Sequence, residues 1–136
     1  KKAKEFAKEN KLDIKIRKSD MNNIPYDNGY FDYVLHVASL HHLHTENKVL
    51  MALKEAERVL KKDGFMLLTV WNKLQLRFLF KPRDIFVPWK NKDKTYQRYY
   101  HLFDYFELRK LLKKTNLKII ESNVFGKNLI FVLRKV

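Results

Sequence analysis

His36, His41, His42 and His44 crowd into one short stretch, and imidazole can either ligate a metal or carry a proton near neutral pH. A metal site is disfavoured, because the chain has no cysteine and the adjacent His41 and His42 cannot easily point the same way. No metal ligand is assigned. The preferred role is lining a cleft, with His42 or His41 on its substrate side. If the acceptor is a hydroxyl or a ring nitrogen, one of the two serves as general base. The competing reading is a packed or solvated histidine pair at a strand-to-helix turn.

A second group lies in residues 72–101. Lys73, Arg77, Lys81, Arg83, Lys90, Lys92, Lys94 and Arg98 stand against Asp84 and Asp93, interleaved with Phe78, Phe80, Phe86, Trp89, Tyr96, Tyr99 and Tyr100. Cations beside aromatics suit single-stranded RNA, whose splayed bases stack on rings while Lys and Arg meet phosphates. Phe78, Phe80 and Phe86 read as a roof over the core. Arg98, Tyr99 and Trp89 read as functional. The whole chain agrees, with 29 Lys plus Arg against 15 Asp plus Glu and a formal charge of +14, a field that draws polyanions. Simple Lys-rich solubility is the bland alternative.

The elements that must position these residues follow from periodicity. Residues 1–10 place Ala3, Phe6 and Ala7 on one helical face, and Leu12, Ile14 and Ile16 then alternate with Asp13, Lys15 and Arg17 as a strand at a sheet edge. The Asp27-Asn28-Gly29 turn leads into the continuously apolar residues 30–38, which suit a strand buried on both faces. Thr45 caps a helix running through Val49, Leu53, Ala56 and Leu60 to Lys61 and Lys62, before a second buried strand at residues 65–71. Residues 72–101 show no sustained period and read as a long functional loop. Asp104 and Glu107 then form a capping-box pattern flanked by Phe103 and Leu108, and residues 117–122 and 129–133 close the chain as strands joined too tightly for a crossover, hence antiparallel. The fold class is an open α/β sheet ending in an antiparallel strand pair.

At 136 residues the chain is long enough for one packed domain. The lack of cysteine excludes disulfides, and no apolar run approaches the roughly 18 residues of a membrane span, so the default location is cytoplasmic with no membrane partner. The first residue is Lys1 and not Met, which suggests a piece of a longer protein.

Ser19-Asp20-Met21, Ile24-Pro25-Tyr26, Gly29-Tyr30-Phe31-Asp32, Leu40-His41-His42-Leu43 and the residues from Arg58 to Phe65 together resemble the central stretch of Rossmann-like class I S-adenosylmethionine-dependent methyltransferases. The resemblance implies that Asp20 accepts a hydrogen bond from the adenine amino group of S-adenosylmethionine, that the Met21 backbone meets the ring, and that the strand end around His36 and Val37 flanks the methionine part. Two further stretches, Asp84-Ile85-Phe86-Val87-Pro88-Trp89-Lys90 and Arg98-Tyr99-Tyr100-His101-Leu102-Phe103, look like inserts of the tRNA wobble-uridine carboxymethyl methyltransferases. That narrower resemblance implies a cytoplasmic enzyme that esterifies 5-carboxymethyluridine in the tRNA anticodon loop and works with a small zinc-binding activator protein, here assigned to the edge strand at residues 12–17. A carboxylate acceptor is gripped by Arg98 or Arg83, with Trp89, Tyr99, His101 and His41 around the substrate and His42 beside the reacting centre.

The pattern departs from the family at one point. Only Gly29, Gly64 and Gly126 occur, so the first two strands, with the glycine-rich turn and the acidic ribose ligand, are missing from residues 1–136, and the chain reads as a partial methyltransferase domain with a basic aromatic substrate insert at 72–101. Cofactor binding by this chain alone is accordingly in doubt. A small-molecule methyltransferase of the same fold and a non-catalytic RNA-binding remnant are the rival readings.

Overall fold

A computed structural model describes residues 2–91 and 94–136; Lys1, Lys92 and Asp93, and with them the candidate phosphate contact at Lys92, lie outside the described residues. Chain order is α1 (Lys2–Glu9), β1 (Phe31–Val37), α2 (Glu46–Val59), β2 (Leu60–Trp71), β3 (Asp84–Asn91), β4 (Lys94–His101), α3 (Tyr105–Leu112), β5 (Leu117–Asn123) and β6 (Asn128–Lys135). Short 3-10 turns occupy Leu40–His42 and Leu76–Phe78. No helix among the described residues is long and apolar enough to cross a membrane.

Four strands form one sheet in the order β1-β2-β6-β5, in which β1 and β2 are parallel and β6 runs antiparallel to both β2 and β5. The β1 and β2 chains approach closely at Gly64, where an added Cβ would stand 2.9 Å from the Asp32 carbonyl oxygen. Thr45 caps α2 by accepting a hydrogen bond from the Lys48 amide at 3.2 Å, and α2 lays Val49, Ala52, Leu53, Ala56 and Val59 on one face of the sheet. α3 adds Leu108, Leu111 and Leu112 to the same core, where Met66, Leu68 and Val70 of β2 meet Leu129, Phe131 and Leu133 of β6. α2 stops at Val59, short of the expected Lys61 and Lys62, because Leu60 turns extended to pair with Phe31 while Lys61 Nζ bonds Asp32.

Three expectations are corrected. Residues 12–17 form no strand ladder among the described residues, since an alternating pattern also needs a neighbouring strand and none lies beside it. β1 is not covered on both faces: Tyr33, Leu35 and Val37 are 72%, 68% and 58% exposed, because α2 and α3 pack on the opposite face. Finally, much of 72–101 is not loop but a hairpin, β3 with β4, in continuous antiparallel register from Asp84↔His101 to Asn91↔Lys94. Of the expected aromatic roof, Phe78 is buried, whereas Phe80 and Phe86 are 96% and 64% exposed and lie outside the core, Phe86 packing edge-on against Tyr99.

Candidate functional site

The carboxyl ends of the parallel pair β1 and β2 are where open α/β sheets place ligands. There the chain leaves β1 through Ala38, whose φ of 50° is unusual for a residue with a Cβ, and the Ala38 amide donates to both the Thr69 carbonyl and Thr69 Oγ1 at 3.0 and 3.1 Å. Strain held by a neighbouring strand in this way marks a designed turn, and it delivers Ser39, Leu40, His41 and His42 to the edge.

The two central histidines have different fates. His41 is 1% exposed, its Nδ1 accepts the Trp71 amide at 3.3 Å, and burial followed by the neighbouring His42 lowers its pKa to about 4. It is a neutral packing group, which corrects its assignment to the substrate. His42 is half-buried, with Nδ1 3.0 Å from the Tyr99 carbonyl. A carbonyl only accepts, so Nδ1 carries the proton of this bond, and the tautomer that it selects has its lone pair on Nε2. His36 is buried at the end of β1 with Nδ1 2.9 Å from Ser39 Oγ, and burial lowers its pKa. Val37 beside it lies on the open face.

The hairpin docks on this edge through Tyr100. Its ring stacks on Trp71 at 4.2 Å with planes 7° apart, and it meets His41 and His42 at 5.0 and 4.6 Å. Strand alternation then sorts the expected substrate residues onto two faces. Arg98 and Trp89 share the face of Tyr100, and the Arg98 guanidinium lies 4.0 Å from the Trp89 ring centroid, with both side chains open to solvent. Tyr99 and His101 are on the other face. There Tyr99 stacks on His44 at 4.0 Å and its hydroxyl donates to Asp84 at 2.5 Å.

His101 is clasped between two carboxylates, with Nδ1 2.7 Å from Asp84 and Nε2 2.7 Å from Glu107. Burial opposes its charge, but the hydrogen bonds to Glu107 and Asp84 outweigh it and raise its pKa. Asp84 is held below the usual carboxylate range by the Tyr99 hydroxyl and then by His101, while burial and the Asp84 bond push Tyr99 up to about 12. Arg83 bonds Glu107 at 2.8 Å and Asp104 at 2.5 Å, so both of its terminal nitrogens are engaged and its role is to lock the hairpin root to α3. His101, with Asp84 and Glu107, lines a pocket between the hairpin root and α3. The bonds that Glu107 makes to Arg83 and His101 explain why it does not complete the expected capping box, although its amide does bond the Asp104 side chain at 2.9 Å. Among the described residues no group of three His, Cys, Asp or Glu side chains is placed to hold a metal ion.

Asp20 and Met21 sit in a turn that β1 and α2 hold in place. Arg58 donates to the Ile24 and Tyr26 carbonyls at 2.9 Å and to Asn28 at 2.8 Å, and Glu55, paired with Arg58 at 2.7 Å, accepts the Ile24 amide at 2.8 Å. Asp20 Oδ1 accepts the Asn22 amide at 2.9 Å, and the buried Asn22 Oδ1 finds no donor. A buried acceptor lacking a donor, beside the Asp20 carboxylate and a half-buried Met21, fits an exocyclic amine, which offers two N–H groups. The adenine end of the implied cofactor therefore fits. Its glycine-rich cradle does not come from this chain, since Gly29 packs near Lys61, Gly64 against Asp32 and Leu60, and Gly126 in the β5–β6 turn.

Sequence reasoning overlooked Trp71, Glu107, Glu55 and Asn22. Each acts through a partner distant in sequence or through an orphaned atom, and the one available signal was the capping-box position of Glu107.

Residues 1–68 match the family described as methyltransferase domain. A tRNA (carboxymethyluridine(34)-5-O)-methyltransferase of Schizosaccharomyces pombe is 34% identical over 128 residues, covering 76% of this chain and 56% of its own, so the chain spans little more than half of that relative. Among solved structures, a Pyrococcus horikoshii OT3 protein aligns with a TM-score of 0.81 at 18% identity, covering 99% of this chain and 68% of its own. An S-adenosylmethionine-dependent methyltransferase from Clostridium acetobutylicum aligns at 0.77 and 11% identity, covering 97% of this chain and 69% of its own. These two likenesses bear on the fold, and they agree with the parallel β1–β2 pair and the antiparallel return of β6. With half of its residues matched to the family and a ligand edge built on the strained Ala38 turn, this chain belongs to the methyltransferase domain family.

Proposed function

We propose that the protein transfers a methyl group from S-adenosylmethionine to the carboxylate of 5-carboxymethyluridine at the wobble position of a tRNA anticodon loop, in the cytoplasm. The observation that carries the reading is the exposed Arg98 guanidinium held over the Trp89 ring, on the hairpin face that Tyr100 stacks against Trp71 at the ligand edge. The similarity to the Schizosaccharomyces pombe tRNA methyltransferase supports it.

A carboxylate acceptor has an unperturbed pKa of about 4 and is ionised at neutral pH, so it needs no general base. It must be stripped of water and aimed, and positioning of this kind lowers a barrier by about 7–11 kcal/mol. Arg98 is suited to the aiming, because the Trp89 ring beneath its guanidinium limits the freedom of a fork that matches a carboxylate bidentately. His42 presents Nε2 as an acceptor and suits the N–H of a uracil ring. Asp20 and Asn22 hold the adenine amino group. The bound cofactor supplies an electrophilic methyl group, and this chain's residues orient the partner that takes it. A small zinc-binding activator protein completes the proposal, with the unladdered, exposed backbone at residues 12–17 as the segment assigned to it.

The test is methylation of an anticodon stem-loop carrying 5-carboxymethyluridine, by a version of the enzyme that includes a glycine-rich cofactor loop. The expected product is a methyl ester that mild alkali hydrolyses. Equal labelling of an unmodified stem-loop, or labelling of a small carboxylic acid in preference to RNA, would overturn the reading.

A further inference from the structure

Arg77 is built more rigidly than a solvated surface arginine. Its Cζ lies 4.3 Å from the Phe78 ring centroid and 5.0 Å from that of Trp71, and its Nε donates to Gln75 Oε1 at 2.9 Å. Gln75 is itself anchored, its Nε2 donating to the Lys127 carbonyl at 2.5 Å. Lys73 Nζ fastens the same turn by bonding the Phe78 and Leu79 carbonyls at 2.7 and 3.1 Å. The two terminal nitrogens of the exposed Arg77 have no protein acceptor among the described residues, although the group is held beside two rings and by Gln75. Such a group is pre-organised for an anion, because little side-chain freedom is left to lose on binding.

The guanidinium stands at the rim of a cleft of about 490 Å3 between the 71–82 segment and β3. Lys81 shares the rim, and Ile85 and Val87 supply half-buried apolar surface. A cationic rim over an apolar floor is complementary to one nucleotide, phosphate outward and base inward. The cleft is also continuous with the site proposed above, since Val87 is the cross-strand partner of Arg98 and Trp71 stacks on Tyr100.

We infer that this cleft is a second nucleotide subsite, in which the RNA nucleotide adjoining the modified base places its phosphate on Arg77 and Lys81 and rests its base on Ile85 and Val87. The inference rests on the RNA reading above but not on which base is modified.

The experiment measures binding of a fluorescent anticodon stem-loop to the 136-residue chain at several salt concentrations, for wild type, Arg77→Ala and Arg77→Lys. Arg77→Ala should weaken binding about tenfold and flatten the salt slope by about one phosphate. Arg77→Lys should restore the slope and only part of the affinity, because it returns the charge without the fork. A series of stem-loops, each with one loop phosphate replaced by a neutral methylphosphonate, locates the contact independently of any effect on folding. At one position the wild type should lose affinity and Arg77→Ala should lose no more. If no single neutralised phosphate cancels the effect of Arg77→Ala, or if Arg77→Ala binds like wild type, the subsite is wrong. The Arg77 effect should be equal on stem-loops with uridine or 5-carboxymethyluridine, so a failure of the carboxylate reading leaves this result standing.

Discussion

Tyr100 lies flat on Trp71, 4.2 Å between ring centroids with planes 7° apart, and this stack joins the β3–β4 hairpin to the ligand edge of the sheet. Two-stranded hairpins are marginal by themselves, so the stack and the Arg83 and His101 ties at the root are what hold the hairpin in place. Tyr100→Ala should cost about 3–5 kcal/mol at the upper end, as for other buried aromatics, less whatever the half-exposed Trp71 recovers by relaxing. Hydrogen exchange checks the localisation. Amides of β3 and β4 should exchange faster in the variant, while those of β2 and β6 stay protected. Uniform acceleration across the sheet would mean that the hairpin is not a separately docked unit.

The clasp on His101 makes hairpin docking depend on pH. The folded pKa is raised above the unfolded value of about 6.5, so the charged clasp contributes fully below about 6.5 and is lost as pH rises through the folded value. Asp84 has the opposite sign: its pKa is lowered, so its contribution is present above about 3.9 and lost as pH falls through the folded value. Urea midpoints for wild type and His101→Gln should therefore differ most near pH 5.5 and converge toward pH 9. A difference that stays constant over that range would show that His101 acts by packing against Phe103, at 4.6 Å, and not by charge.

The turn at Asp20 and Asn22 offers acceptors that fit an adenine amino group, and none of the three glycines forms a cofactor cradle. Calorimetric titration of the 136-residue chain with S-adenosylmethionine should give binding that is very weak or undetectable. A micromolar dissociation constant would mean that the open face of β1, with Tyr33, Leu35 and Val37, binds the cofactor without that cradle.

These predictions draw on features of unequal legibility. α2, α3 and the β5–β6 pair were readable because each presents an apolar face at a regular period, Thr45 and Asp104 mark the helix starts chemically, and β2 was readable from Phe65 onward as an apolar run. The hairpin was not, since both its faces are partly wet and Pro88 interrupts the strand signal, although as an edge-strand proline it removes no essential donor. β1 was misread for a different reason. A continuous apolar run says that two faces want cover, but which neighbours supply it is a property of the rest of the chain. At the site, Arg98 and Trp89 were singled out from the cations and aromatics interleaved along residues 72–101. Their stacking depends on the register Val87↔Arg98 and Trp89↔Tyr96, which spacing alone does not reveal. The clasp on His101 and Arg83 was not foreseen, because the capping-box pattern marks Asp104 and Glu107 only as helix-start residues and nothing local pairs them, or Asp84, with the hairpin.

The contrast between Arg98 and Lys94 tests orientation against attraction. Both are exposed cations on β4, but Arg98 is fixed on Trp89, whereas Lys94 stands at the hairpin turn opposite Asn91. In a version of the enzyme that carries the glycine-rich loop, Arg98→Ala should lower the single-turnover methylation rate at saturating tRNA by about tenfold to a hundredfold. That range corresponds to losing a charged hydrogen bond worth about 1.5–3 kcal/mol. Cofactor affinity should hardly change, because Asp20 and Asn22 lie in the separate turn pinned by Arg58. Arg98→Lys should not rescue the rate, since a point charge neither stacks as a plane on Trp89 nor forks around a carboxylate. Lys94→Ala should leave the saturating rate intact while weakening tRNA binding and reducing its salt slope by about one phosphate. Rates and affinities at two salt concentrations, on stem-loops carrying 5-carboxymethyluridine, separate the two outcomes. If Arg98→Ala keeps its full saturating rate, or behaves like Lys94→Ala, the guanidinium on Trp89 attracts RNA and does not aim the acceptor.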